Sequence, residues 1–119
     1  MAEQLTTPQG FKYTKLGRGK YRADMNWLYR SERYGLDVII NKGQIRDGAT
    51  GAFDLESLAW WVHDQLCADG VWADGTDVTQ EQAAQVLSDI LDEEGRWFRR
   101  YTWKWATYFL GCHKAREND

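Results

Sequence analysis

The sequence predicts one α+β domain, in which an N-terminal antiparallel β-meander over residues 10–46 is followed by a three-helix C-terminal part. Glycines at turn-like intervals separate short aromatic and β-branched runs in residues 10–46, which is typical of antiparallel strands. Beyond residue 53, apolar residues recur at helical spacing in three segments. The length of 119 residues and the hydrophobic content of 43% fit a single domain with one modest core.

The strongest strand signal lies near the end of the β-rich part. Residues 36–41 read LDVIIN and contain consecutive β-branched side chains, which favour a strand. Asn41, Lys42 and Gly43 then predict a turn, and residues 44–46 a short final strand. We therefore expect the strands of residues 10–46 to pair in sequence order as a meander.

The first two predicted helices follow a glycine-rich connector at residues 47–53. The first covers residues 54–68, with Asp54 as its N-cap and an apolar stripe flanked by two tryptophans. The second covers residues 80–94, because Thr79 and Gln82 form a capping box and Gly95 suits the position after the last turn.

The third predicted helix, residues 96–110, is crowded with aromatic side chains on more than one face. Arg96, Arg100 and Lys104 form a basic stripe at a spacing of four residues, and Trp103 lies on a second apolar face. A helix with two apolar faces is either enclosed by the core or docks a partner. Residues 112–119 form a polar tail.

Charge is distributed in three blocks along the chain. Residues 1–46 carry a net charge of +5, residues 47–95 a net charge of −12 without one Lys or Arg, and residues 96–119 a net charge of +4. Such blocks steer charged partners, unless they neutralise each other in the fold. We expect the acidic block, including Asp54, Glu56, Asp92 and Glu93, to form a continuous anionic surface on two helices, which would repel duplex nucleic acid.

Other classes of protein are disfavoured by composition. The N-terminus has no apolar run typical of a signal peptide, and no apolar stretch is long enough to span a membrane. We therefore expect a cytoplasmic or virion-associated protein. Cys67 and Cys112 are interpreted as reduced thiols in or near the core, with a single disulfide between them as the alternative.

The order of motifs resembles a family of small uncharacterised phage and prophage proteins. The resemblance rests on an Asp-Gly-Ala-Thr turn at residues 47–50, the segment HDQLC at residues 63–67 and an aromatic C-terminal helix closing at Gly111. It covers roughly residues 20–111. Arg46, Thr50 and Cys67 stand where that family usually has Thr, Ser and Tyr. The resemblance implies an accessory protein that binds a host or virion protein in a bacterial host.

The pair His63-Asp64 on a helix after a glycine-rich loop also resembles the active-site helix of phospholipase A2. That resemblance implies His63 as a general base, Asp64 as a calcium ligand and an acid such as Asp89 that orients the imidazole. Asp47, just before the same helix, is a further candidate ligand. By helical spacing, His63 lies at the border of the apolar stripe, whereas Asp64 points away from it.

Two functions therefore compete. The first is a non-catalytic interaction protein, which uses the acidic surface or the aromatic C-terminal helix and needs no cofactor; mimicry of DNA by the acidic block is one form of it. The second is a metal-dependent hydrolase of the calcium type, with His63 and Asp89 as catalytic residues and Asp64 and Asp47 as metal ligands. For His63 and Asp64, the alternative is structural. His63 would be a border histidine that donates to a backbone carbonyl or to a neighbouring acid, and Asp64 would be a helix carboxylate that is solvated or salt-bridged to Arg99 or Arg100.

Overall fold

The computed structural model describes residues 3–17, 19–47 and 57–95, and it confirms the α+β class. Strands come first and helices follow. The elements, in chain order, are β1 (Glu3–Thr6), β2 (Lys12–Gly17), β3 (Lys20–Ala23), β4 (Trp27–Ser31), β5 (Leu36–Ile40), β6 (Ile45–Asp47), α1 (Leu58–Asp69) and α2 (Gln80–Glu93).

The strands form two antiparallel sheets, so the prediction of one meander is wrong in its connectivity. Four strands pair in the order β1-β2-β3-β6, and β4 pairs only with β5 in a separate two-stranded sheet. The hairpin β4–β5 is thus inserted between β3 and β6, which pair through Lys20 with Asp47 and Tyr21 with Arg46. Strand β1, which precedes the predicted β-rich segment, was missed by the sequence analysis.

Helix α2 confirms its predicted signals. Thr79 accepts a hydrogen bond from the Gln82 backbone N–H, and the Gln82 side chain accepts one from the Thr79 N–H, which completes the capping box. Gly95 follows the helix with φ of +78°, a conformation that glycine adopts without steric cost. The predicted apolar stripe is fully buried: Ala83, Val86, Leu87, Ile90 and Leu91.

Helix α1 begins later than the sequence predicts, at Leu58, with Ser57 as its N-cap. Asp54, the predicted cap, lies outside the described residues, as does Glu56. Nearly the whole circumference of α1 is covered, because Trp60 and Trp61 are buried together with the predicted stripe. The third predicted helix, residues 96–110, and the tail also lie outside the described residues.

The core lies between the two sheets and the helices α1 and α2, and aromatic side chains connect its parts. Trp61 has no exposed surface, and its ring centroid lies 5.4 Å from that of Phe11 and 5.5 Å from that of Tyr13, both in edge-to-face geometry. Such pairs are more favourable than area burial alone. Trp72, in the loop between the helices, covers another part of the core and contacts the Tyr34 ring. Large aromatic side chains therefore hold the sheet, α1 and the interhelical loop together.

A carboxylate at the end of α2 closes the start of α1. Glu94 Oε1 accepts a hydrogen bond from Ser57 Oγ (2.6 Å), and Oε2 accepts one from the Leu58 N–H (3.0 Å). Ser57 Oγ in turn accepts from the Ala59 N–H. Since the first N–H groups of a helix have no partner within it, this long-range cap satisfies two of them, those of Leu58 and Ala59, and places a negative charge at the positive end of the helix dipole.

We expect Glu94→Gln to lower the free energy of unfolding by about 1–2 kcal/mol, because it removes a charge-assisted cap at a half-buried helix end. Urea denaturation of both proteins at neutral pH measures the difference. Ser57→Ala, which removes the other member of the cap, should cost a similar amount, and the double variant less than the sum of both. Fully additive effects would contradict a shared cap.

Candidate functional site

His63, the predicted general base, is a buried structural side chain. Its Nδ1 donates to the Ala83 carbonyl oxygen of α2 (3.0 Å), and its Nε2 lies 3.4 Å from Cys67 Sγ, one helical turn further along α1. Because a carbonyl oxygen only accepts, Nδ1 carries the hydrogen. Burial lowers the pKa of His63 below its ordinary value of 6.5, although the hydrogen bond to Ala83 opposes this shift. The imidazole is thus neutral and only 9% of the residue's surface is exposed.

The acid expected beside His63 is replaced by a backbone group. Asp89 instead accepts two hydrogen bonds from Arg33, Nε to Oδ2 (2.9 Å) and Nη2 to Oδ1 (3.0 Å), and a third from Gln85. This bidentate pair ties α2 to the hairpin β4–β5. Asp89 therefore does not orient the imidazole, and the pairing of His63 with Asp89 is corrected to a pairing of His63 with the Ala83 carbonyl.

Asp64, the predicted metal ligand, is ion-paired with the β-rich part. Its Oδ2 lies 2.9 Å from Arg46 Nε, and Arg46 Nη2 donates to the neighbouring Gln65 Oε1 (2.6 Å). This is the salt-bridged alternative for Asp64, with Arg46 of β6 as a partner; Arg99 and Arg100, the partners expected from the sequence, lie outside the described residues. The Asp47 side chain and the glycine-rich connector lie outside the described residues.

No group of three or more His, Cys, Asp or Glu side chains is placed to hold a metal ion within residues 3–17, 19–47 and 57–95. His63 and Asp64 are neighbours in the chain, but their contacts lie on different sides of α1: His63 reaches α2, and Asp64 reaches β6. The described residues therefore do not bring the predicted catalytic and metal-binding side chains into one cleft.

The expectation for the thiols is wrong at Cys67, which is disulfide-bonded in the structure. The sulfur beside His63 Nε2 thus carries no hydrogen to donate. This arrangement leaves the thiol of Cys67 unavailable as a nucleophile.

The acidic block is partly neutralised by the basic N-terminal part, as Asp64 and Asp89 show through Arg46 and Arg33. Asp74 serves a local turn, since hydrogen bonds from the Thr76 side chain and from the Thr76 N–H lower the pKa of its exposed carboxyl. The continuous anionic surface expected from the sequence is therefore interrupted. The proposed binding residues Arg96, Arg100, Lys104 and Trp103 lie outside the described residues.

Carboxylates remain concentrated where the turn of the hairpin β4–β5 meets the last turns of α2. We call this place the acidic cleft, a cavity of about 240 Å³ lined by Tyr29, Glu32, Arg33, Asp89, Asp92 and Glu93. Among the described residues, four carboxylates and one guanidinium give its lining a net charge of −3 at neutral pH. Within residues 3–17, 19–47 and 57–95, Arg33 is the one cation of the lining, and it is already engaged by Asp89.

The raised pKa of Glu93 reflects the environment of the acidic cleft. Partial desolvation raises the pKa of Glu93 above its ordinary value of 4.5, and the negative charges of Asp89 and Glu32 raise it further. Asp89 and Glu93 stand four residues apart on α2 and thus face each other across one helical turn. The ionised cleft is consequently a place of like-charge repulsion that the fold tolerates.

We expect Glu93→Gln to raise the free energy of unfolding at pH 7 by about 0.2–0.5 kcal/mol, the cost of one like-charge pair at this helical spacing. Because the folded-state pKa of Glu93 is raised, its contribution to stability is greatest below the ordinary value of 4.5 and is lost as the pH rises through the folded-state pKa. The gain should therefore vanish in urea titrations below that pH. A destabilised variant at pH 7 would show that Glu93 is attracted, rather than repelled, by its surroundings.

Three members of the acidic cleft, Asp89, Asp92 and Glu93, were singled out from the sequence, and three were not. Glu32, Arg33 and Tyr29 come from a hairpin far away in the chain; Arg33 and Asp89 are 56 positions apart. The positive block of residues 1–46 gave a general signal for such pairing, but no local pattern identifies the partner of each charge.

A second cavity, of about 370 Å³, lies between β5 and the loop after α1. Its walls include Val38, Ile39 and Trp72, with Gln65 and Asp69 as polar groups. Gln65 and Asp69 are hydrogen-bonded to each other. Since Gln65 also accepts from Arg46, these polar groups are engaged within the protein.

Neither α1 nor α2 combines the length and the apolar content that crossing a lipid bilayer would require.

The comparisons with known proteins give no relative on which to base a function. The chain matches no family model, no curated protein and no solved structure.

Proposed function

We propose that this protein is a non-catalytic binding module, whose acidic cleft takes a basic segment of a partner protein. In line with the resemblance described above, the proposed setting is a phage accessory protein whose partner is a host or virion protein. The observation that carries the proposal is the convergence of Glu32 and Glu93 on one surface cavity, where Arg33, the cation of the lining among the described residues, is bound to Asp89.

The carboxylates of the acidic cleft repel one another, which supports a role in binding a partner rather than in stabilising the fold. Desolvation and the neighbouring negative charges raise the pKa of Glu93, and the repulsion among these charges costs stability in the free protein, which a cationic partner would relieve. Groups with perturbed ionisation that share a cleft are more frequent at functional sites than elsewhere on a surface. A net negative cavity also attracts basic partners over a distance and raises their association rate.

The walls of the acidic cleft are fixed by the bidentate pair of Arg33 and Asp89. This pair holds the hairpin turn, which carries Glu32, against the helix that carries Asp92 and Glu93. Two carboxylate-bearing elements are thereby presented in a defined arrangement before a partner arrives. Such preorganisation reduces the loss of conformational entropy on binding.

Binding of fluorescent nonapeptides that differ only in charge tests the proposal. We expect a Lys/Arg-containing peptide to bind and an otherwise identical Glu-containing peptide not to bind. Affinity for the basic peptide should fall about tenfold or more in the double variant Glu32→Gln, Glu93→Gln, because two charges that face the ligand are removed. Affinity should also fall as salt is raised from about 50 mM to about 300 mM, since these charges are exposed to solvent.

The matched control is the double variant Glu3→Gln, Glu81→Gln. It removes the same charge from exposed positions that do not line the acidic cleft. We expect it to bind the basic peptide within about twofold of the unchanged protein, by its effect on the overall field alone. Equal losses in both double variants, or no binding of any basic peptide, would contradict the proposal.

Hydrolysis by His63 is not the function that the geometry favours. Its Nδ1 is held by the Ala83 carbonyl, and its Nε2 faces a disulfide sulfur inside the protein. A general base has to reach the proton of a water or substrate within hydrogen-bond distance.

A further inference from the structure

The wall of the acidic cleft includes a tyrosine whose hydroxyl has no hydrogen-bond partner among the described residues. Tyr29 of β4 is nine-tenths buried, with 9% of its surface exposed, and it forms part of the cleft wall. Its hydroxyl makes no hydrogen bond to any residue of the described segments. Desolvation raises the pKa of this phenol, and the charges of Glu93, Asp89 and Glu32 raise it further, which places the hydroxyl in the field of the carboxylates. The ring is buried, but the hydroxyl oxygen is not among the enclosed side-chain atoms of the described residues, so it opens to the cleft and is available to a ligand.

The groups that line the acidic cleft specify the chemistry of that ligand. Ionised carboxylates only accept hydrogen bonds, and a phenol oxygen can also accept one. The complementary ligand is therefore a cation with several donors that point in different directions. A guanidinium has five N–H donors in a rigid plane, whereas a lysine ammonium is a compact point charge on a flexible chain.

The protein itself contains an example of the same recognition. Arg33 donates two hydrogen bonds to Asp89, one to each carboxylate oxygen, in the lining of this cavity. The volume of about 240 Å³ has room for about eight water molecules at the share of liquid volume that each occupies, which is ample for one long side chain.

We propose that the acidic cleft binds one arginine side chain of the partner, with the guanidinium between the carboxylates of Glu32 and Glu93 and the Tyr29 hydroxyl. This inference rests on the proposed function and names the residue that is recognised. An arginine within a polypeptide fits better than the free amino acid, because the α-carboxylate of free arginine would be repelled by a cavity with a net charge of −3.

The experiment titrates the full-length protein with three capped nonapeptides that carry arginine, lysine or citrulline at one central position and are otherwise identical. Amide chemical shifts in two-dimensional NMR spectra give the affinity of each peptide and show where it binds. We expect the arginine peptide to bind about tenfold more tightly than the lysine peptide, and the uncharged citrulline peptide to bind most weakly. Free arginine should bind more weakly than the arginine peptide.

Tyr29→Phe is the matched variant, because it removes the hydroxyl oxygen and keeps the buried ring. We expect it to weaken the arginine peptide about tenfold, the value of one hydrogen bond to a charged group. The thermal melting temperature of the variant should stay close to that of the unchanged protein, since the hydroxyl has no partner among the described residues.

The possible failures separate this inference from the proposed function. Equal binding of the arginine and lysine peptides, with no effect of Tyr29→Phe but a loss in Glu32→Gln, Glu93→Gln, would overturn the arginine site and leave the acidic binding module standing. If free arginine binds as tightly as the arginine peptide, the inference that the bound arginine belongs to a polypeptide is wrong. No binding of any cationic probe would overturn both proposals.

Discussion

Replacing Trp61 by alanine should lower the free energy of unfolding by about 3–5 kcal/mol, the largest effect expected for one side chain in this protein. Trp61 has no exposed surface and contacts the rings of Phe11 and Tyr13, so the substitution removes both apolar burial and two edge-to-face ring contacts. The surrounding aromatic side chains come from β2, its preceding loop and α1, and they cannot all move inward to fill the cavity. Guanidinium denaturation followed by circular dichroism measures the loss.

Two further variants make this result interpretable. Trp61→Phe keeps a ring and should cost clearly less than Trp61→Ala, which matters because a small domain with a marginal free energy of unfolding can unfold outright with the alanine. Leu28→Ala, at a position that is 59% exposed, should stay within about 0.5 kcal/mol of the unchanged protein. A Trp61→Ala protein as stable as Leu28→Ala would show that the core is not organised around this tryptophan.

The second large effect concerns pH. Because the folded-state pKa of His63 is depressed below 6.5, the unfolded chain takes up a proton first as the pH falls. Stability is therefore fully present above pH 6.5 and decreases on acidification until the folded-state pKa is reached. One buried imidazole can contribute up to about 1.4 kcal/mol for each pH unit in this window. Urea denaturation at a series of pH values between about 7.5 and 5.0 gives the slope.

His63→Asn provides the comparison, since an asparagine amide can donate to the Ala83 carbonyl from nearly the position of Nδ1 but does not titrate. We expect this variant to be less stable at pH 7.5, because it leaves a small void, but to lose markedly less stability on acidification. The other histidine, His113, is present in both proteins and cancels in the comparison. Parallel stability curves for the two proteins would rule out His63 as the source of the acid sensitivity.

The parts of the fold that the sequence predicted well depend on contacts between near neighbours. The capping box of Thr79 and Gln82, the left-handed Gly95 and the strand at Leu36–Ile40 are each specified within a few residues, and the structure confirms them. The start of α1 differs because Ser57 is supported by Glu94, which is 37 positions away. The predicted N-cap, Asp54, had only its local pattern in its favour.

In the candidate site, too, the sequence predicted what near neighbours specify and missed what depends on residues far away in the chain. The sequence located acidic residues on the second helix, but it could not show that Asp89 pairs with Arg33 while Glu93 faces other carboxylates. Nor could it show that the hairpin β4–β5 leaves the main sheet and packs its turn against α2. Those features arise from long-range packing, in which the energy of each contact depends on what surrounds it.

The Glu94 cap joins the last turn of α2 and the first turn of α1 into a single cooperative unit. Helix ends ordinarily fray independently, with little protection of their terminal amides from solvent exchange. Here, unwinding of the last turn of α2 would withdraw the acceptor from the Leu58 N–H and loosen the first turn of α1 at the same moment. The amides at both places should thus exchange with deuterium at matched rates, and weakening either terminus would be felt at the other.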